Sequence, residues 1–317
     1  GKEIASSYKR VAIENKVFNQ YEVQLHNPKP YEALRVWLTT SWESGTQGEA
    51  FLYTRWEGGQ QERVVTPVYA YSIEPIEPPK RLHTSIAWMV ESFQKDWPNF
   101  FSTYKNLGFN TVPFFPRYGI QSDWLKQARD LGFSILYNES PMHVMANTFK
   151  NKEEIYVLYE DGLRGTQVSL AYRGQYYLHE MQRVAQLSEA LKPDWVFFDL
   201  ELFSSYVPIA GEDQQLLQRM NAEQWNSVSE ACIMLGTEML TDLTAAAKSW
   251  AADGISPQVG FYNVTPERLY SDIYDFRRMY PQVLNIAQPS QYFGGDAARV
   301  GDQIKTIRKM LPQSDII

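Results

Sequence analysis

The chain has 317 residues, enough for one large domain or a large domain plus a small one. Its hydrophobic fraction of 44% suits a globular core, and a net charge of −7 with no long basic run argues against nucleic acid and anionic membrane as partners. A single cysteine, Cys232, rules out an internal disulfide, and no apolar stretch has transmembrane length.

The first eighty residues read as β structure. Residues 33–39, 50–56 and 64–71 are rich in β-formers and are separated by turn signals such as Asn27-Pro28 and Gly58-Gly59. Pro67 places the last of these near a sheet edge. The expectation is a small antiparallel β-sandwich-like domain over residues 1–73, then a proline-rich linker over 74–81, Glu-Pro-Ile-Glu-Pro-Pro-Lys-Arg.

From residue 82 the pattern becomes an alternation of strands and helices. Strands are expected at 85–90, 111–115 and 133–137, with helices at 98–107 and 122–131 between them. The two helix exits are near copies, Asn106-Leu107-Gly108-Phe109-Asn110 and Asp130-Leu131-Gly132-Phe133-Ser134. A connection over 142–174 is long enough to be a lid or binding loop. Tyr172-Arg173-Gly174 at its end is expected either to fold over a cleft or to form a salt bridge.

A helix over 176–191 leads into Asp194-Trp195-Val196-Phe197-Phe198-Asp199-Leu200-Glu201-Leu202, an apolar strand that ends in two carboxylates. Period-two geometry places Phe197, Asp199 and Glu201 on one face. An excursion over 203–213, a long helix ending near 252, a strand at 258–262, a helix from 266 to 280, a strand at 283–287 and a helix over 296–310 follow. Residues 314–317 look like another strand beginning.

Six βα units and the start of a seventh predict an α/β fold: a (β/α)8 TIM-type barrel over 82–317, incomplete at its C-terminus. Either the sequence is part of a longer chain, or a further segment or second chain completes the barrel. An open doubly wound sheet is the competing architecture, although no Gly-rich phosphate loop follows any strand.

Ligands bind such folds at the carboxyl ends of the strands. The polar residues expected there are Glu91, Arg117, Asn138, Glu139, Asp199, Glu201, Asn263 and Gln288. Trp88, Tyr137, Tyr206, Tyr262 and Tyr292 flank them. Amides and carboxylates bond sugar hydroxyls, while aromatic faces stack on the C–H surfaces of sugar rings. Arg117 is expected to pair with the acids or to recognise an anionic glycan. Glycoside cleavage needs one acid to protonate the leaving oxygen and a second group to stabilise an oxocarbenium-like transition state. Glu201 and Asp199 are the candidates for those roles.

Asp194, Asp199 and Glu201 match in spacing three of the four acids of the D-x-x-D-x-D-x-E strand motif, with Phe197 in the fourth position. In this the chain resembles the family 18 chitinase-type glycosidases and looks like a more distant barrel glycosidase. The resemblance implies Glu201 as general acid and Asp199 as the residue orienting the substrate. Tyr262-Asn263 is similar to the family's Tyr-Asp pair. Asn138-Glu139 resembles the acid/base signature of retaining barrel glycosidases, which would make Glu139 a second catalytic candidate; otherwise the pair binds substrate or anchors a loop.

The expected function is therefore a secreted or periplasmic glycoside hydrolase with a carbohydrate substrate, its export signal removed, and no cofactor or metal. The four histidines show no ligand spacing. The alternatives are a non-catalytic carbohydrate-binding barrel and a barrel hydrolase or lyase acting on another polyhydroxylated substrate.

Overall fold

The computed structural model describes residues 7–13, 16–22, 47–55, 61–69, 74–80, 83–85, 100–116, 120, 122–199, 201–251, 256–262, 264, 270–280, 283, 286–287, 297–310 and 315–316. The chain divides into two compact units, Gly1–Ser72 and Ile73–Ile317.

The first unit contains two antiparallel hairpins. Strand β1 (Ser7–Ile13) pairs with β2 (Lys16–Glu22), and β3 (Gln47–Arg55) pairs with β4 (Gln61–Tyr69). Pro67 lies on β4, which has one neighbour among the described residues, a placement that tolerates a missing N–H. The strand expected at 33–39 lies outside the described residues.

The second unit is mixed α/β, built on a parallel sheet. Helix α1 (Phe100–Asn106) leads to β5 (Thr111–Phe114), and α2 (Ser122–Asp130) leads to β6 (Ser134–Glu139). The similar exits fold alike. Gly108 and Gly132 take φ of +81° and +79°. At each exit the glycine N–H bonds three residues back, and the following phenylalanine N–H bonds five residues back. That is a Schellman stop, and its left-handed residue is why glycine stands there. The segment 74–80 is no free tether, because Ile76 N–H donates to the Asn106 carbonyl at 2.8 Å.

The connection after β6 is structured rather than open. It holds α3 (Pro141–Thr148) and a hairpin of β7 (Tyr156–Leu158) with β8 (Arg164–Val168). Met142, Met145, Ile155, Val157, Val168 and Leu170 from this stretch are buried in the main core, so it is a core layer rather than a lid. Helix α4 (Gln175–Leu191) then enters β9 (Trp195–Phe198). Arg173 pins the start of α4: it stacks on Tyr177, donates to the Leu235 carbonyl at 2.8 Å and pairs with Glu238. It therefore does not fold over a cleft.

Two 3-10 segments, Glu201–Ser205 and Val207–Glu212, follow. The expected single long helix is two helices, α5 (Gln214–Ala222) and α6 (Val228–Lys248). The break is capped: Ser227 Oγ accepts from Glu230 N–H, and the Glu230 carboxylate reaches back to Asn226 N–H. Strand β10 (Gln258–Phe261) completes the parallel sheet.

The helix expected over 266–280 is corrected. From residue 270 the described residues form a tight hairpin, β11 (Tyr270–Ser271) and β12 (Tyr274–Asp275), then one turn of helix, α7 (Phe276–Met279), capped by Asp275. The hairpin lies so close to α6 that a Cβ on Gly236 would come 1.8 Å from the Ile273 carbonyl oxygen. Beyond it, β13 (Ile286–Ala287) and β14 (Asp315–Ile316) pair in parallel on either side of α8 (Ala297–Met310).

The sheet order is β5-β6-β9-β10, every pair parallel. Among the described residues it has four strands and does not close into a ring. The core lies between one sheet face and the helices. Val112, Phe114, Ile135, Tyr137, Val196, Phe198, Val259 and Phe261 point into it. Much of the aromatic content is spent here: Phe100, Phe101, Tyr104, Trp124 and Phe133 form a continuous ring cluster, with Phe101 and Trp124 4.3 Å apart. Cys232 is buried in α6, and burial pushes its thiol up to about 11.

Candidate active site at the carboxyl edge of the sheet

The strand register sorts the candidates by face. Asn138 pairs with Phe197 and Glu139 with Phe198; Gly260 pairs with Phe197 and Phe261 with Phe198. Asn138, Phe197, Asp199 and Tyr262 therefore share the face away from the helices. Asn138 is buried, and Tyr262 stands edge-on to Phe197 with ring centroids 6.4 Å apart. Phe197, at the motif's missing acid, lies on the strand between theirs.

Asp199 is half-buried at the strand's end. Its N–H donates to the Glu139 carbonyl at 3.0 Å, continuing the sheet by one bond. Its carboxylate accepts the Glu201 N–H at 3.0 Å. The strand stops at Phe198, and Glu201 opens the 3-10 turn with its side chain exposed. Period-two geometry therefore does not extend to Glu201. An aspartate that bonds the N–H two residues on offers the backbone a turn in place of another ladder step. Asp199 and Glu201 remain neighbours, joined through the main chain. Asp194 lies at the opposite edge, where its carboxylate accepts the Ile135 N–H at 2.8 Å.

Glu139 faces the helices. Its side chain is fully buried and held by both Arg183 Nη groups, at 3.2 and 2.5 Å, and by the Tyr137 hydroxyl at 2.9 Å. Arg183 also holds buried Glu180, through Nε at 2.8 Å and Nη2 at 2.6 Å. Burial, helped by the Glu139 charge and opposed by Arg183, pushes the Glu180 carboxyl up to about 7. The same burial and the Glu139 charge hold the Tyr137 phenol well above its usual range.

Three expectations are corrected by this placement. Glu139 is separated from the Asn138 face by its own strand. Tyr137 is fully buried on the helix side and offers no ring to a sugar. Tyr206 is also fully buried, and its hydroxyl donates to Asp213 at 2.8 Å. Asp213 is a hub of the second unit: besides Tyr206 it accepts from Ser169 Oγ and from the N–H groups of Leu158 and Gln215. It ties the β7–β8 hairpin to the excursion that follows the acid pair.

Trp88, Glu91, Arg117, Asn263, Gln288 and Tyr292 lie outside the described residues. Among the described residues no group of three or more His, Cys, Asp or Glu side chains is placed to hold a metal ion. No described helix is long and apolar enough to cross a membrane.

No protein-family model matches the chain, and no curated protein matches it.

The Glu180–Arg183 pair and Asp213 were absent from the sequence-based candidates, although each left a signal. Glu180 falls on the helical stripe of Tyr177, Val184, Ser188 and Leu191, so a charge on the buried face of α4 was readable. Asp213 precedes α5 as its cap. Its other three partners come from tertiary contacts.

Proposed function

We propose that the second unit is a (β/α)-barrel glycoside hydrolase, with Glu201 as proton donor and Asp199 as its electrostatic and positioning partner. The observation that carries this reading is the main-chain bond from Glu201 N–H to the Asp199 carboxylate at the carboxyl edge of a parallel sheet. It keeps two acids adjacent where such folds bind ligands, and it leaves the Glu201 carboxyl open to a substrate. The barrel is favoured over a doubly wound sheet because four successive parallel strands follow chain order without the reversal that marks a switch point.

In this mechanism Glu201 protonates the glycosidic oxygen. The Asp199 carboxylate opposes the positive charge that develops on the sugar. Asn138 and Tyr262 lie on the face where a sugar would be oriented. A secreted or periplasmic setting belongs to the same proposal.

The test is a glycan-library screen with product masses. Wild type is expected to release products carrying the mass of one added water, and Glu201→Gln to lower turnover by roughly a thousandfold with thermal unfolding unchanged. Near-normal turnover by that variant removes Glu201 from the role.

A second reading, a non-catalytic carbohydrate-binding barrel, is favoured by one observation: Phe197 stands on the sheet face away from the helices at the position where the motif carries an acid. Glycan binding without product from any library member decides for it.

A further inference from the structure

Asp199 is held in place from behind the sheet. Its N–H bonds the Glu139 carbonyl at 3.0 Å, while the Glu139 side chain points the other way into the helix layer. There Arg183 grips that carboxylate through two nitrogens, and the same guanidinium is gripped by Glu180 one turn earlier on α4. Tyr137, on the same strand face as Glu139, adds a third donor to it. A continuous set of bonds thus runs from helix α4 through the strand: Glu180 to Arg183, Arg183 to the Glu139 side chain, Glu139 carbonyl to Asp199 N–H, Asp199 carboxylate to Glu201 N–H.

We infer that Arg183 is a positioning residue for the acid pair, acting through Glu139 and touching neither acid. In its functional meaning this rests on the glycosidase reading; in its physical content it does not. The cluster is unusual as mere packing. Two buried carboxylates share one guanidinium in a place where apolar residues would be at least as stabilising. A planar fork that bonds two carboxylates on two elements fixes the last residue of β6 in direction as well as in depth, which an apolar contact does not. Glu139 is that residue, and the register of Asp199 is taken from its carbonyl.

The test is residue-resolved hydrogen–deuterium exchange on the full chain, comparing Arg183→Met, Arg183→Lys and Tyr137→Phe with wild type. In Arg183→Met the Asp199 amide is expected to lose about tenfold or more of its protection, while the amides of α6 and of Tyr262, one strand further along, stay within about twofold. Arg183→Lys, a point charge without the fork, should restore part of that protection. Tyr137→Phe removes a single donor to Glu139 and should lower protection at Asp199 by a smaller factor. Unchanged exchange at Asp199, or an equal loss across α6, overturns the inference. Should Arg183→Met fail to fold, Arg183→Lys and Tyr137→Phe decide it by the same criterion.

Where wild type cleaves a glycan, Arg183→Lys is expected to lower kcat with KM kept. Absence of cleavage by wild type counts against the glycosidase reading and leaves the exchange result to decide the clamp.

Discussion

Glu180 shows how a single buried carboxyl makes stability depend on pH. Its folded-state value of about 7 lies above the ordinary 4.5. The folded chain therefore favours the protonated form. The stabilisation is fully present below about pH 4.5 and is lost as pH rises through 7. The loss is on the order of 3 kcal/mol. Glu180→Gln keeps the shape without the charge, so its denaturation midpoint should hold nearly level between pH 5 and 8 while that of wild type falls. Parallel curves for the two would refute the assignment. Asp213 is a buried acceptor serving four donors. Asp213→Ala strands those donors and should cost about 3 kcal/mol or more in urea denaturation; Tyr206→Phe, which removes one donor, should cost about 1 kcal/mol.

The twin helix exits are the clearest elements. Gly108 and Gly132 share the left-handed conformation, but their surroundings differ. A Cβ on Gly132 meets nothing within 4 Å, whereas one on Gly108 comes 3.2 Å from the Ile76 side chain. Gly132→Ala should cost about 1 kcal/mol, the penalty of the backbone conformation alone, and Gly108→Ala more. Equal costs would show that the 74–80 segment yields freely. Gly236 is a stricter case, because the obstacle there is a main-chain carbonyl 1.8 Å away. Gly236→Ala must push the β11–β12 hairpin off α6 and should lower the unfolding midpoint further than either exit variant. The break between α5 and α6 was written in Ser227 and Glu230, a serine with a glutamate three residues on, and reading 214–252 as one helix passed over that cap. The β11–β12 hairpin is harder to foresee, since its Tyr and Ile residues fit a helix face as well as a short strand until Gly236 shows what packs there.

The arrangement of the second unit follows from alternating strands and helices, and the strands of its parallel sheet were legible at 111–115, 133–137, within 194–202 and at 258–262. The boundary between units has a physical marker. Ile76 donates to the Asn106 carbonyl and the Pro79 carbonyl accepts from Asn110, so the prolines belong to the α/β unit. A fragment that begins at residue 73 should unfold at a higher temperature than one that begins at residue 81, as calorimetry would report. Equal midpoints would make the segment a passive linker.

Local chemistry in the chain was enough to establish the helix stops at Gly108 and Gly132, because each depends on neighbours within about five residues. Tertiary contact alone decided which face each acid serves. Asn138 and Glu139 are adjacent in sequence, yet the strand extends through both and turns them apart, and Arg183, 44 residues on, supplies the charge that makes burial of the Glu139 carboxylate tolerable. A charge goes where its partner is, and pairing across that separation leaves no periodic trace for a reader of the chain to follow.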